Sequence, residues 1–340
     1  KVNRLNVDIH DIRFREDVLQ FEVDDISFVE RCGFELRGTK GRVNLAGNGF
    51  NIRDMAVVTP HSALAVGFAF VSCSSLDSTK DFCNDLHFNV KILRSTFSTR
   101  DVAYFVPLLR DMDKEVEMKG LFKGTINDIS VRNLEFSTLG ETSFVGNADI
   151  TGLPDIPNTY FHLNILRFKT SVKDLKQLPL PPFGSGNNLS FPAGIDPIGS
   201  IAYRGRLTGY VNEMVSYGKI STDLGVVHTD VMVKIDSLKN TSVRGRLQAD
   251  NFFAGRLANM YPHLGIIDMD ANINCVFNSS GLESAELEGS FPRVEINKYL
   301  CSNVRVQGVF SSKHFDGDIS IHDPGANVNF SGKCDFSGLL

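Results

Sequence analysis

The feature that most constrains this chain is an alternation of apolar and polar residues with a period of two, in short runs along its whole length. In residues 86–92, leucine, phenylalanine, valine and isoleucine alternate with histidine, asparagine and lysine. The same alternation recurs at 161–165, 227–235, 272–277 and 318–322. Because successive side chains of a strand point to opposite faces, these runs predict strands with one apolar and one polar face.

Helical patterns are few and short. Residues 99–111 predict a helix capped at Ser98 or Thr99 and interrupted at Pro107, and residues 171–178 predict another that ends before Pro179. Residues 253–260 are a weaker candidate. Such helices cannot cover a long sheet, whose apolar face still needs a second layer. The sequence therefore predicts an all-β fold: an elongated, curled antiparallel sheet that forms an open apolar groove, with a few short helices.

One change in composition divides the chain. Residues 179–200 are rich in proline, glycine, serine and asparagine, which predicts a loop because proline cannot donate to a strand ladder. The predicted organisation is a β-groove segment at 1–178, this loop at 179–200, and a continuing β-groove segment at 201–340. The loop is either a linker between two domains or a long excursion from one continuous sheet. The equal β character on both sides favours the second alternative.

Composition and charge exclude several classes of protein. Of 340 residues, 42% are hydrophobic and 22% are charged, which is typical of a folded soluble chain rather than a disordered one. The net charge of -5 argues against a nucleic-acid partner. The longest apolar run, Ala63–Val71, is shorter than the roughly 18 residues of a membrane helix. Because the chain starts at Lys1 without a signal segment, we expect a fragment of a longer protein.

Motifs that carry catalytic or metal chemistry are missing from the sequence. It contains no nucleophile elbow, phosphate-binding loop or zinc-protease motif, so we predict no catalytic residue, no enzyme activity and no cofactor. The segment 47–49, Gly-Asn-Gly, predicts a hairpin turn. The strongest metal candidate shares a strand-like run, but a polar strand face explains it more simply, and we predict no metal site. This candidate consists of His314, Asp316, Asp318, His322 and Asp323.

The six cysteines do not form a recognisable framework. No two are spaced as a CxxC pair, which argues against zinc and thioredoxin-type sites. Their even number permits disulfides, but buried free thiols are the simpler interpretation. The cysteines are Cys32, Cys73, Cys83, Cys275, Cys301 and Cys334.

The apolar strand positions are the remaining candidates for a functional surface. The chain has 26 phenylalanines and no tryptophan, and many of the phenylalanines lie in alternating runs. An uncovered sheet that curls into a trough would expose an apolar surface suited to an apolar, lipid-sized ligand. The assignment depends on strand register, since a slip of one residue exchanges the faces. The predicted groove-lining residues are Phe68, Phe70, Phe88, Val90, Leu163, Ile165, Val231, Val233, Ile273, Phe277, Val306, Phe310, Ile319 and Ile321.

An ordered series of segments resembles a known family. The segments are Ile26–Leu36, Leu45, Ile52, Val57–Ser62, Asp101–Leu109, Lys119–Thr125, Gly152–Thr159, Tyr203–Tyr210, Tyr217–Ile220, Thr222–Gly225 and His322–Pro324. Their content and order, from about Ile26 to the end of the chain, resemble the TamB (translocation and assembly module) family within the AsmA-like superfamily. The six cysteines and the proline-rich loop do not map to a role in that family.

The resemblance implies a periplasmic location, in a longer protein anchored in the inner membrane of Gram-negative cells by one N-terminal helix. It implies an apolar groove that carries phospholipid acyl chains, or that assists outer-membrane protein assembly. The implied protein partner is an outer-membrane barrel of the BamA type, contacted through regions outside this sequence.

Two other readings of the sequence stay open. A secreted β-solenoid that binds or acts on carbohydrate would show regular coil spacing and exposed aromatic residues for sugar stacking, and the irregular spacing and missing tryptophan count against it. A closed membrane barrel would show alternating runs of about ten residues with aromatic girdles, whereas the runs in this sequence are shorter.

Overall fold

The computed structural model describes residues 2–73, 82–104, 109, 113–138, 140–178, 188, 191, 194–279, 281–311 and 314–335, without the side chains of Phe82 and Cys83. Strands make up 74% of the structure, and each described α-helix is only four or five residues long. The prediction of an all-β fold with a curled, open antiparallel sheet and few short helices is confirmed.

The chain divides into two compact units. Unit 1 comprises Lys1–Leu166 and Gln177–Leu189, and unit 2 comprises Arg167–Lys176 and Ser190–Leu340. The division falls within strand β11 (Tyr160–Ser171). Most of the proline-rich segment 179–200 lies outside the described residues, but its last part contains a 3-10 turn at Asp196–Ile198 and the first residue of the next strand.

Unit 1 is an antiparallel meander in which strands pair largely in chain order. Its strands are β1 (Val2–Arg15), β2 (Val18–Glu30), β3 (Glu35–Leu36), β4 (Gly38–Ala46), β5 (Gly49–Val58), β6 (Ala63–Cys73), β7 (Leu86–Ser98), β8 (Glu115–Gly124), β9 (Asp128–Thr138) and β10 (Ser143–Thr151). Strand β2 pairs with β1 on one side and with both β3 and β4 on the other, and each later strand pairs with the one before it.

Unit 2 continues in the same manner, each strand pairing antiparallel with the next from β12 onward. Its strands after β11 are β12 (Ser200–Tyr210), β13 (Glu213–Thr222), β14 (Gly225–Ile235), β15 (Thr241–Phe252), β16 (Leu264–Asn278), β17 (Gly281–Ile296), β18 (Tyr299–Ser311), β19 (His314–Asp323) and β20 (Ala326–Asp335). These strands are longer than the alternating runs of the sequence, because bulges and glycines interrupt the pattern without ending the strand.

Tight turns connect several neighbouring strands. Residues 47 and 48 form the two-residue turn between β4 and β5, closed by the Ala46–Gly49 pair, as the Gly-Asn-Gly segment predicted. Between β17 and β18, Asn297 and Lys298 both have positive φ angles, 49° and 69°. Positive φ at both turn residues is the requirement of a type I′ hairpin, whose twist matches that of the strands.

The described α-helices are α1 (Phe82–Asp85), α2 (Thr99–Val102), α3 (Val172–Lys176) and α4 (Ala254–Leu257). Helix α2 begins after Ser98, one of the two predicted caps, since the Ser98 hydroxyl accepts from the Arg100 amide at 3.3 Å. It is shorter than the predicted 99–111 helix, of which residues 105–108 and 110–111 lie outside the described residues. Helix α3 lies within the predicted 171–178 segment, where the Ser171 hydroxyl accepts from the Asp174 amide at 3.1 Å.

Candidate functional site

Cross-strand pairing in unit 2 places apolar residues from successive strands on one face of the sheet. Val231 pairs with Gly245, Gly245 with Ile273, and Ile273 with Leu287. Directly paired residues of antiparallel strands project from the same face of the sheet, so these four residues form a row on one face. Residues two positions away along each strand form further rows on that same face. We define the apolar face of unit 2 as Val231, Val233, Val243, Leu247, Ala271, Ile273, Cys275, Phe277, Leu287, Val304, Val306, Phe310, Phe315, Ile319, Ile321 and Phe330.

The predicted groove-lining residues of unit 2 all lie on this face. Each of these residues pairs, directly or through a glycine, with an apolar residue of a neighbouring strand, so the alternation of the sequence assigned their face correctly. For example, Val306 pairs with Ile319, and Ile319 pairs with Phe330. The structure brings together Val231, Val233, Ile273, Phe277, Val306, Phe310, Ile319 and Ile321.

Unit 1 has a corresponding apolar face. One of its rows runs from Val43 through Ile52, Ala69, Val90, Phe122 and Val131 to Ala148, and a second contains Leu45, Phe50, Val71 and Phe88. We define the apolar face of unit 1 by these eleven residues. Of the predicted groove residues, Phe88 and Val90 belong to it.

Phe68 and Phe70 lie on the opposite face of unit 1. Phe68 pairs with Arg53 and Lys91, and Phe70 pairs with Asn51 and Asn89. The run Ala63–Val71 is apolar at every position, so alternation could not assign its faces, and only the register does.

The remaining two predicted residues, Leu163 and Ile165, lie two positions apart on β11 and therefore share one face of that strand. Ile165 is buried and Leu163 is half-buried. Both belong to the part of β11 that lies in unit 1.

Several residues of the apolar faces escaped the sequence-based list. Among the described residues Phe315 is the largest fully buried side chain, 1% exposed, and its ring centroid lies 4.6 Å from that of Phe310. On the same face of β19, Gly317 lies between Phe315 and Ile319, so a glycine breaks the apolar alternation. Extending the alternation across glycines would have found Phe315.

The apolar face of unit 2 is far less exposed than the face behind it. Val231 is 6% exposed and its neighbour Met232 is 44% exposed; Val304 is 6% exposed, whereas Val309 on the opposite face is 45% exposed. In the described part of unit 2 the helices have at most five residues, too short to form a covering layer. The burial therefore comes from the sheet itself, in which side chains of neighbouring strands pack against one another.

A small hydroxyl cluster interrupts the apolar face at β12–β14. The Tyr203 hydroxyl donates to the Arg206 carbonyl at 3.0 Å and lies 3.1 Å from the Ser216 hydroxyl, which is 3.2 Å from that of Thr229. All three hydroxyl-bearing side chains are buried. Burial raises the pKa of Tyr203, so its phenol stays neutral, and its polar atom is satisfied within the protein rather than offered to a ligand.

The opposite face of unit 2 is charged and faces water. Arg246 donates two hydrogen bonds to Asp270, at 2.7 and 2.6 Å, and Gln248 donates a third at 3.0 Å. These bonds, that from Arg246 foremost, lower the pKa of Asp270 to about 2. A depression of about 650 Å³ across β17–β20 is lined by charged residues such as Glu288, Arg305 and Asp318. Its lining also includes Val306, Ile319 and Phe330 of the apolar face.

The sequence-based metal candidate does not converge in the described structure. His314 Nδ1 lies 3.7 Å from Asp335, Lys333 pairs with Asp316 at 3.3 Å, and His322 Nδ1 lies 3.0 Å from the Asn327 side chain. Asp323 accepts from the Ser302 amide and hydroxyl and from the Tyr299 hydroxyl. It also accepts from the Gly325 amide at 2.9 Å, which closes the turn that follows β19.

Among the cysteines whose side chains are described, Cys32, Cys275, Cys301 and Cys334 are free thiols. Cys301 is buried, Cys32 is exposed, and Cys73, Cys275 and Cys334 are half-buried. Burial raises the pKa of Cys275 and of Cys301, which favours the unreactive thiol form.

Within the described residues, no helix combines the length and hydropathy needed to cross a membrane. Comparison of the chain with protein-family models, with curated proteins and with solved structures found no match.

Proposed function

We propose that the apolar faces of units 1 and 2 bind the acyl chains of phospholipids, and that the protein is non-catalytic. The observation that carries this proposal is the apolar face of unit 2. It runs from strand to strand across the sheet, and no described helix is long enough to cover it. An extended apolar face on a single curved sheet is the kind of surface that marks a binding function.

The physical chemistry of acyl chains fits such a face. Burial of each CH₂ group contributes roughly 0.8 kcal/mol and requires no directed hydrogen bond. Valine, isoleucine, leucine and phenylalanine side chains therefore hold chains of different length and saturation, and let them slide along the face. The hydroxyl cluster of Tyr203, Ser216 and Thr229 does not compete, because its polar atoms bond to one another and to the backbone.

The resemblance to the TamB family supplies the biological setting of the proposal. In this setting the chain is a periplasmic part of a protein anchored in the inner membrane. It carries phospholipid or assists outer-membrane protein assembly with a barrel partner of the BamA type. The antiparallel pairing of the described strands is unlike the parallel stacking of a β-helix, so we do not propose the carbohydrate-binding alternative.

Photo-crosslinking at neighbouring residues of opposite faces tests the proposal. A photoreactive phenylalanine analogue is placed at Phe310 or at Val309 in unit 2, and at Phe88 or at Asn89 in unit 1. The full chain is incubated with vesicles of phosphatidylethanolamine and phosphatidylglycerol, irradiated and analysed by mass spectrometry. We expect lipid adducts at Phe310 and Phe88 and background levels at Val309 and Asn89.

Native mass spectrometry of the purified chain provides an independent measurement. We expect phospholipid to co-purify and to be released by organic extraction. Equal adduct yields on the two faces would show non-specific adsorption, and absence of adducts at all four positions together with a lipid-free protein would refute acyl-chain binding.

A further inference from the structure

A second group of side chains converges on the polar face of the β1–β2 hairpin, away from the apolar face of unit 1. His10 Nε2 lies 3.8 Å from Asp11 Oδ2 and 3.8 Å from Glu22 Oε2. The three potential ligand atoms all lie within 4.8 Å of one another. This is the only such triplet among the residues that the structure describes, and it combines one imidazole nitrogen with two carboxylate oxygens.

A β-bulge creates this convergence. His10 pairs with Glu22 and Arg13 pairs with Gln20, so β1 has two residues, Asp11 and Ile12, where β2 has one. Asp11 takes a positive φ of 51°. Consecutive strand residues normally point to opposite faces, but the extra residue of the bulge turns the Asp11 carboxylate toward the His10 ring.

A fourth residue orients the histidine. His10 Nδ1 lies 2.9 Å from Asp24 Oδ2, so Nδ1–H donates to this carboxylate and Nε2 keeps its lone pair on the side of Asp11 and Glu22. The other oxygen of Asp24 lies 3.8 Å from Lys40 Nζ, which holds the carboxylate in place. A carboxylate behind the imidazole is the usual partner of a metal-binding histidine.

We propose that His10, Asp11 and Glu22 bind a divalent transition-metal ion, with Zn²⁺ as the probe ion, and that Asp24 is a positioning residue. Bonds of about 2.1 Å in a tetrahedron place ligand atoms roughly 3.4 Å apart, so the two 3.8 Å separations from His10, and the Asp11–Glu22 separation of at most 4.8 Å, close by side-chain rotations. The three ligands are half-exposed, which leaves a coordination position for water. One nitrogen and two oxygen ligands suit Zn²⁺ better than Ca²⁺ or Mg²⁺.

Metal binding would fasten β1 to β2. All 14 residues of β1 are exposed, and its described strand pairing is with β2 alone. The proposed site takes His10 and Asp11 from β1 and Glu22 from β2, so it is complete only when the two strands are paired. Metal binding therefore stabilises the paired hairpin by mass action. This inference does not depend on lipid binding, because the ligands lie on the polar face.

Isothermal titration of the full chain with Zn²⁺ in a non-coordinating buffer at pH 7 tests the site. We expect saturable binding of one ion, weakened at least 10-fold by His10→Gln, Asp11→Asn or Glu22→Gln. Asp24→Asn should weaken it about 10-fold without changing amide exchange of the metal-free hairpin. The matched control is His314→Gln, which removes an exposed histidine beside a single carboxylate and should leave the affinity unchanged.

Two further measurements make the outcome decisive. Bound Co²⁺ should give visible absorption without a thiolate charge-transfer band, which excludes the exposed Cys32 as a ligand. Saturating Zn²⁺ should slow amide exchange of Val2–Arg15 several-fold in the wild-type chain and not in Glu22→Gln. Binding that survives His10→Gln and Glu22→Gln, that is lost in His314→Gln, or that is absent at 1 mM Zn²⁺ would overturn the proposal.

Discussion

Phe88 of β7 lies directly opposite Val71 of β6 on the apolar face of unit 1. The residue before Val71, Phe70, pairs instead with Asn89 and is 49% exposed on the other face. Two phenylalanines that are equivalent in composition therefore have opposite environments. The register of one strand pair decides which of them belongs to the candidate lipid-binding surface.

This difference predicts unequal effects of truncation. Phe88→Ala removes a half-buried ring from the apolar face and should lower the free energy of unfolding by about 2 kcal/mol, since full burial would cost about 3–5 kcal/mol. Phe70→Ala removes a largely solvated ring and should cost less than about 1 kcal/mol. Urea unfolding followed by circular dichroism measures both, and a larger loss for Phe70→Ala would contradict the register.

A buried carboxylate anchors the start of helix α2 in unit 1. Asp101 is 6% exposed and accepts hydrogen bonds from the Thr59 and Ser62 hydroxyls, each at 2.6 Å. Asp101→Ala removes the carboxylate that accepts from both hydroxyls and leaves the Thr59 hydroxyl only the Ser62 carbonyl, at 3.2 Å, so it should destabilise the protein by about 2–3 kcal/mol. The control is Asp113→Ala, which removes the exposed partner of Arg100 and should have a much smaller effect. Thermal unfolding of the two variants gives the comparison, and equal losses would contradict this role of Asp101.

The pair of Arg246 and Asp270 predicts a pH-dependent contribution to stability. The pKa of Asp270 in the folded state, about 2, is below its ordinary value of 3.8. The ionised carboxylate therefore stabilises the fold above about pH 4, and this contribution is lost as the pH falls from about 4 to about 2. Because the pair is solvent-exposed, we expect Asp270→Asn to cost only about 0.5–1 kcal/mol at pH 7.

Urea unfolding at pH 7 and at pH 3 measures this contribution, with Asp318→Asn as the control on the same face, where Asp318 pairs with Gln307 and Ser331. The difference between wild type and Asp270→Asn should shrink at pH 3, and it should also shrink in 1 M salt. A difference that stays constant with pH would show that the Asp270 carboxylate is not stabilised by Arg246.

The cysteines should react with alkylating agents in the order of their exposure. Cys32 is exposed, whereas Cys301 is buried and burial raises its pKa. We therefore expect iodoacetamide at pH 8 to modify Cys32 first and Cys301 last in the native protein, with equal labelling in denaturant. Peptide mass spectrometry over a time course measures the order, and rapid native labelling of Cys301 would show that the interior of unit 2 opens readily.

Much of the fold could be predicted from local pattern. The alternating runs predicted the strands, the Gly-Asn-Gly segment predicted the turn between β4 and β5, and Ser98, one of the two residues predicted to cap a helix, does so. Each of these depends on neighbours in the sequence. The extent of helix α2 and the face of Phe68 did not follow from the sequence, because they depend on residues that are far apart along the chain.

The sequence by itself determined the all-β class and the existence of one apolar and one polar face on each alternating strand, because side chains alternate about the backbone of any strand. Tertiary structure alone decided which strands pair in which register. It placed Phe88 with Val71 but Phe70 with Asn89, carried the apolar face of unit 2 through Gly245 and Gly317, and turned Asp11 toward His10 at a bulge. The reason is that register is set by hydrogen bonds between separate strands, and a shift of a single residue exchanges the two faces.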